Sequence, residues 1–216
     1  HGVREVDRTV KFAPPQGPET SATATEIYDR HGRLASVAEP SGSGGANVTT
    51  FYGYDVGNRL ASVSTTAASV TQIRNFSYDR AGLLQSEAHP EKGASGNGAV
   101  SYPRYDSHGH VLRKVDGPND LTFSYDPAER LFQVQETGGS SRLLKAFTYA
   151  SANGSNDWSQ GKLRQASRYN YVTLSGAAHT VQITETYTYG GRDGRVSQRD
   201  TQATTDTAPG ESFTQG

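Results

Sequence analysis

Tyr28-Asp29-Arg30-His31-Gly32-Arg33-Leu34 is the stretch that decides how this chain is read, because it recurs. Related copies are Tyr54-Asp55-Val56-Gly57-Asn58-Arg59-Leu60 and Tyr78-Asp79-Arg80-Ala81-Gly82-Leu83-Leu84. Two more are Tyr105-Asp106-Ser107-His108-Gly109-His110-Val111 and Tyr125-Asp126-Pro127-Ala128-Glu129-Arg130-Leu131. The leading tyrosines are 26, 24, 27 and 20 residues apart. Two degenerate copies follow: Tyr149 leads to Gly161-Lys162-Leu163 across an insertion, and Tyr189 leads to Gly194-Arg195-Val196 with one residue more than the pattern. Self-similarity at a short, steady interval is the signature of a repeat architecture.

The spacing within a copy has a physical reading. An aromatic residue often stands two positions before the tyrosine, as in Tyr52, Phe76, Phe123, Phe147 and Tyr187. Positions i and i+2 share one face of a strand, so these pairs predict aromatic stripes on one sheet face. Asp-x-x-Gly follows. Asp suits the first position of a type I turn and Gly a later residue with positive φ, which predicts a tight hairpin loop ending in a bulge. Arg-Leu-x-x-Val comes next, as in Arg33 to Val37 and Arg59 to Val63. Leu and Val three apart fall on opposite faces of a regular strand, so either a bulge intervenes or both faces carry apolar contact. Seven copies of two strands and one turn predict about 14 strands.

Composition agrees with a thin β-structure. The hydrophobic fraction is 33%, against ~45–50% in an average globular chain, so one thick core is not expected. The 12 Tyr, 7 Phe and net charge of only -1 argue against disorder. No cysteine is present, which removes disulfides and cysteine metal sites. No run approaches the ~20 apolar residues of a membrane span, and no signal peptide opens the chain. Without a basic cluster, nucleic acid is not an expected partner. The chain starts with His1 and contains no Met, and is therefore read as a piece of something longer.

Between copies lie Gly- and Ser-rich stretches, Glu39 to Asn47, Glu87 to Ala99, and Ser151 to Gly161 with the single Trp158. They read as outer loops, because the repeat resumes after each. Arg168 to Leu174 and His179 to Tyr187 flank Ser175-Gly176-Ala177-Ala178 and form a further hairpin. The expected organisation is an entry strand or loop over 1–24, a repeat ribbon over 25–199, and a polar tail or the start of the next repeat over 200–216. No helix is expected. A propeller is disfavoured, because a blade needs ~40–50 residues and the interval here is about 24.

The recurring Tyr-Asp-x-x-Gly-Arg-Leu pattern resembles the YD repeat of rearrangement-hotspot (Rhs) proteins, a group that includes bacterial Rhs toxins, insecticidal toxin complexes and the teneurins. It covers residues 25 to 199. The resemblance implies an all-β fold of consecutive antiparallel β-hairpins forming a curled ribbon, part of a larger YD-repeat shell. It also implies a non-enzymatic role, enclosing a toxin or other cargo domain for secretion or delivery. The implied partners are the remaining repeats of the same protein and an enclosed C-terminal cargo domain, with secretion machinery or a cell-surface ligand beyond them. The implied location is secreted or at the cell surface of a bacterium. The family's shell has many more repeats than seven and ends in a self-cleaving segment with Asp-Pro-x-Gly. Here Asp126-Pro127 is followed by Ala128-Glu129 inside an ordinary repeat. The alternative is a cell-surface carbohydrate- or protein-binding repeat module that uses the aromatic stripes.

Candidate chemistry is sparse. His108 and His110 are two apart and could face the same way, half of a metal site with no third ligand evident nearby. Asp29, Asp55, Asp79, Asp106 and Asp126 each hold the same turn position, where a carboxylate accepts backbone N–H bonds. Arg33, Arg59, Arg130 and Arg195 are placed to stack on neighbouring tyrosines. There is no Gly-x-Ser-x-Gly elbow and no phosphate loop ahead of a helix. The expectation is therefore no catalytic, cofactor-binding or metal residue, and no cofactor.

Overall fold

A computed structural model gives the fold and describes residues 3–12, 20–41, 47–67, 69–92, 98–138, 141–206 and 208–215. The described chain is all-β: sixteen strands and one three-residue 3-10 turn, Pro90–Lys92, with no α-helix. It divides into two units, residues 1–103 and 104–216.

The first unit contains β1 (Arg4–Phe12), β2 (Thr20–Tyr28), β3 (Leu34–Glu39), β4 (Val48–Tyr54), β5 (Leu60–Ala67), β6 (Val70–Tyr78) and β7 (Leu84–Ala88). β8 (Ala99–Tyr105) leads out of it. Each strand pairs antiparallel with the next, from β1 with β2 through β7 with β8. The second unit contains β9 (Val111–Asp116), β10 (Asn119–Tyr125), β11 (Leu131–Glu136) and β12 (Leu143–Tyr149). It continues through β13 (Leu163–Leu174), β14 (Ala177–Gly190), β15 (Arg195–Thr205) and β16 (Ala208–Gln215). These too pair strictly with their neighbours in sequence.

The seven YD copies account for β2 through β15. The count exceeds the expected 14 because one strand is added at each end. β1 pairs with β2 over its whole length, from Arg4 opposite Tyr28 to Phe12 opposite Thr20. The polar stretch beyond Asp200 is likewise paired, with Thr201 opposite Phe213. The expected outer loops around 42–46 and 93–97 lie outside the described residues.

A single turn geometry is reused. Asp29 N–H donates to the Arg33 carbonyl at 2.8 Å, and Gly32 N–H donates to the Asp29 carbonyl at 2.9 Å. The Asp29 carboxylate accepts from the backbone N–H of His31 and Arg33. The residue three after Asp always has positive φ: Gly32 (79°), Asn58 (65°), Gly82 (87°), Gly109 (89°) and Glu129 (62°). In the Tyr54 copy the sequence glycine, Gly57, comes one position early, and Asn58 takes the left-handed conformation that Asn tolerates.

A bulge follows the turn in six of the seven copies, those led by Tyr28, Tyr54, Tyr78, Tyr125, Tyr149 and Tyr189. Tyr28 faces Leu34, yet the preceding Ile27 faces Ser36, so Ala35 is the extra residue. The same slip separates Tyr54–Leu60 from Gly53–Ser62 and Tyr125–Leu131 from Ser124–Gln133. It recurs in the degenerate copies, at Tyr149–Leu163 and Tyr189–Val196. One extra residue restores the phase of the pleat. Leu60 therefore faces Tyr54 while Val63 faces Tyr52, on one sheet side. Of the two readings left open for Leu-x-x-Val, the bulge is the one found.

Among the described residues of each unit, the strands pack against their sequence neighbours. A single layer buries little: of the described apolar side chains only Val100, Val134 and Ala150 are buried, and only Val100 fully. Cross-strand pairs carry the load instead. Hydroxyl pairs sit directly opposite one another, as in Thr50–Thr65, Ser77–Ser86 and Ser167–Thr184.

Candidate functional site

The repeat motif builds a clasp between consecutive hairpins. Tyr54 Oη donates to the Leu34 carbonyl at 2.9 Å, and Tyr78 Oη donates to the Leu60 carbonyl at 2.8 Å. In the second unit Tyr125 bonds Val111 (3.1 Å), Tyr149 bonds Leu131 (2.8 Å) and Tyr189 bonds Leu163 (2.7 Å) in the same way. Each acceptor is the first strand residue after the preceding turn, and Leu34, Leu60, Leu131 and Leu163 lie beside the bulge. There the ladder is interrupted and a carbonyl needs another donor.

The tyrosine ring is covered by the arginine of the preceding copy. The guanidinium carbon of Arg33 lies 4.4 Å from the Tyr54 centroid, that of Arg59 4.7 Å from Tyr78, and that of Arg130 4.2 Å from Tyr149. In the insertion-bearing copy Lys162 does the same over Tyr189 at 5.2 Å. The turn aspartate aims the arginine: Arg33 Nε and Nη2 lie 2.7 and 2.6 Å from Asp29 Oδ2. Burial pushes the Asp29 carboxyl up, but the hydrogen bonds from Arg33 and from the turn N–H groups prevail and hold it at about 2. Asp55 and Asp126 are lowered through the same partners. Asp orients Arg, Arg covers the next Tyr, and Tyr bonds back to the first hairpin. Stacking and hydrogen bonding are each worth roughly 0.5–1.5 kcal/mol, repeated along the chain.

Sequence reading found the aspartates and the stacking of Arg33, Arg59 and Arg130. Arg195 is exposed and pairs with Asp193 at 2.9 Å. One clasp was missed: Arg142 covers Tyr171 at 4.9 Å, and Tyr171 Oη donates to the Leu143 carbonyl at 2.9 Å. Its signal was the Arg142-Leu143 pair, the same dipeptide that follows a YD turn, here without the turn.

Two of the five clear copies lack the arginine: the Tyr78 copy has Leu83 there, and the Tyr105 copy has a histidine. His110 occupies the arginine position. Its ring stacks on Tyr125, centroids 4.6 Å apart at 23°, and its Nδ1 lies 2.8 Å from Asp106 Oδ2. Burial raises the Asp106 carboxyl, yet the hydrogen bonds from His110 and His108 pull it to about 2. His108 and His110 do face the same way, with ring centroids 6.1 Å apart. Two carboxylates that sequence spacing did not reveal join them. Asp106 comes from the same turn, and its ligand atoms lie within 4.8 Å of those of both histidines. Glu129 comes from the next turn, 3.6 Å from His108 Nε2 and 3.9 Å from His110 Nε2.

The insertion between Ala150 and Gly161 is held by Asp157, whose Oδ1 accepts from Gly154 N–H, Ser159 N–H and Ser159 Oγ. Trp158 stands 54% exposed on it.

No protein-family profile matches the sequence, and no curated protein matches it. Among solved structures, the crystal structure of TcdB2-TccC3 matches 96% of this chain with a TM-score of 0.66 at 16% identity, and the chain spans 11% of that chain's length. At that identity the likeness is one of fold alone, a run of consecutive antiparallel β-hairpins.

Proposed function

We propose that this chain is a wall segment of an Rhs-type shell, a non-enzymatic structure that encloses a toxin or other cargo domain of a bacterial protein exported from the cell or held at its surface. The observation that carries the reading is the use of the tyrosines. Rings arranged to bind a glycan lie coplanar and open to solvent. Here Tyr54, Tyr78, Tyr149 and Tyr189 each lie under the preceding copy's cation and spend their hydroxyl on the preceding hairpin, as Tyr54 does with Arg33 and Leu34. The motif therefore joins hairpin to hairpin, which is what a wall requires. The fold likeness to TcdB2-TccC3 supports the same reading. The partners that follow are further repeats and the enclosed domain.

The test is limited proteolysis of the full-length gene product. A wall protects the region it encloses, so that region resists protease until the repeats are unfolded, and then is cut at once. Cutting of all non-repeat regions at equal rates in the folded protein rejects the shell. A binding module remains the second reading, favoured by exposed Trp158 beside a pocket of about 580 Å³ that Asn153, Asp157 and Arg192 help line. Saturable binding to a glycan array, lost in Trp158→Ala, would select it.

A further inference from the structure

In the ordinary copies, the arginine four residues after Asp reaches the next turn. Arg33 Nη1 donates to Asn58 Oδ1 at 2.8 Å, Arg59 Nη1 to the Asp79 carbonyl at 3.2 Å, and Arg130 Nη1 to the Gly161 carbonyl at 3.1 Å. Those three turns are thereby tied to their successors by a cation, whereas the Asp79 turn has Leu83 at that position. At the copy where that position holds His110, the following turn carries Glu129 at the positive-φ position, where the other four clear copies have Gly or Asn. Both changes fall at one place, and His108 is added to them.

The geometry there is that of a ligand set. Asp106 Oδ2 sits 2.8 Å from His110 Nδ1, so Nδ1–H donates to the carboxylate and the Nε2 lone pair is left free. That Nε2 points to Glu129 Oε2 at 3.9 Å, and His108 Nε2 lies 3.6 Å from Glu129 Oε1. Around a tetrahedral zinc with bonds of ~2.0–2.1 Å, ligand atoms stand about 3.3 Å from one another. The separations of 3.6 and 3.9 Å from the two imidazoles to the two Glu129 oxygens exceed this by about 0.3 and about 0.6 Å. His108 and Glu129 are 63% and 56% exposed, free to make up the difference. A carboxylate on the far nitrogen of a ligating imidazole is the usual way of fixing its tautomer and ring plane.

We propose that His108, His110 and Glu129 bind a divalent transition metal of the zinc class, with Asp106 as the positioning residue behind His110. Two imidazoles and one carboxylate leave a fourth place for water, and imidazole donors select zinc, copper or nickel over magnesium or calcium. The ion bridges the turn at 106–110 to the turn at 126–130, the junction that Arg bridges elsewhere. It staples two hairpins and need perform no reaction.

The experiment is calorimetric titration of the tag-free 216-residue protein with zinc chloride, with visible absorption of the cobalt form as a second readout. One equivalent is expected to bind, and cobalt is expected to give the intense band of a low-coordinate nitrogen–oxygen site. His108→Ala and Glu129→Gln should each weaken binding at least ~10-fold, while His31→Ala, the matching turn position of the first copy, should leave it unchanged. Both site residues are exposed, and unchanged circular dichroism will show that the variants fold. Absence of stoichiometric binding, or equal binding in wild type, His108→Ala and Glu129→Gln, overturns the proposal. So does an equal loss in His31→Ala, which marks scattered surface histidines.

Discussion

The Arg33–Tyr54 junction in the first unit and the His110–Tyr125 junction in the second occupy the same place in the repeat and are built from different chemistry. In the first, a permanent cation covers the ring at 4.4 Å and also reaches Asn58 on the next turn. In the second, an imidazole stacks at 4.6 Å and faces a carboxylate, Glu129, together with a second imidazole. Asp and Tyr are common to both. The placement of Asp, the covering group and Tyr is thus common to the two junctions, and the cation itself is replaceable. What changes with the replacement is the reach to the next turn: a long guanidinium spans it unaided, while a short imidazole leaves a gap that Glu129 lines.

Acid should break both junctions, and this is the largest effect expected. Asp29 and Asp106 are held at about 2, below their ordinary value of 3.8. A carboxyl depressed in the folded state stabilises it fully above pH ~4, and that contribution is lost as pH falls through the folded value. Circular dichroism should show the β signal lost between pH 4 and about 2, with little change between pH 5 and 7. A flat profile down to pH 2 would mean the turn carboxylates contribute nothing.

Turn strain comes next. Gly32→Val and Gly82→Val put a β-branched residue at φ 79° and 87°, costing roughly 1–2 kcal/mol each in urea melts. At Gly32 an added Cβ meets nothing within 4 Å, so a cost measured there is conformational and not steric. Glu129→Gly should go the other way, stabilising the metal-free protein by about 0.5–1 kcal/mol, since Glu129 stands at φ 62°.

Tyr54→Phe keeps the stacked ring and deletes the hydroxyl bonded to Leu34. It should cost about 1 kcal/mol, the price of a lost hydrogen bond to a carbonyl beside the bulge. Tyr125→Phe should match it, because both junctions share that bond. A clear difference between the two would show that imidazole and guanidinium are not equivalent covers.

The smallest effect sharpens the comparison most. His110→Arg restores the common junction and should change metal-free stability by less than about 0.5 kcal/mol. A large loss would show that the pocket around His110 has been shaped to an imidazole and no longer admits the ordinary clasp.

Much of this was legible in the sequence because the motif is local. Tyr, Asp, the positive-φ position and the following Leu lie within seven residues, and backbone geometry acts over that range. The hairpin series, the all-β class and the aspartate turns followed from it. So did the low burial, since 33% apolar residues suffice for a single layer and not for a thick core. The phase of Leu-x-x-Val stayed open, because one extra residue reverses the pleat and only the pairing of Ile27 with Ser36 shows where it sits. The registers that bring Tyr54 to Leu34, 20 residues back, and Glu129 to His108 are long-range facts. Sequence intervals of 20 to 27 between copies leave them undetermined, because loops of different length close onto the same ladder. The sequence by itself determined what each hairpin is. Only the tertiary structure decided which side chains of one hairpin meet those of the next, because that depends on strand register and on where each bulge falls.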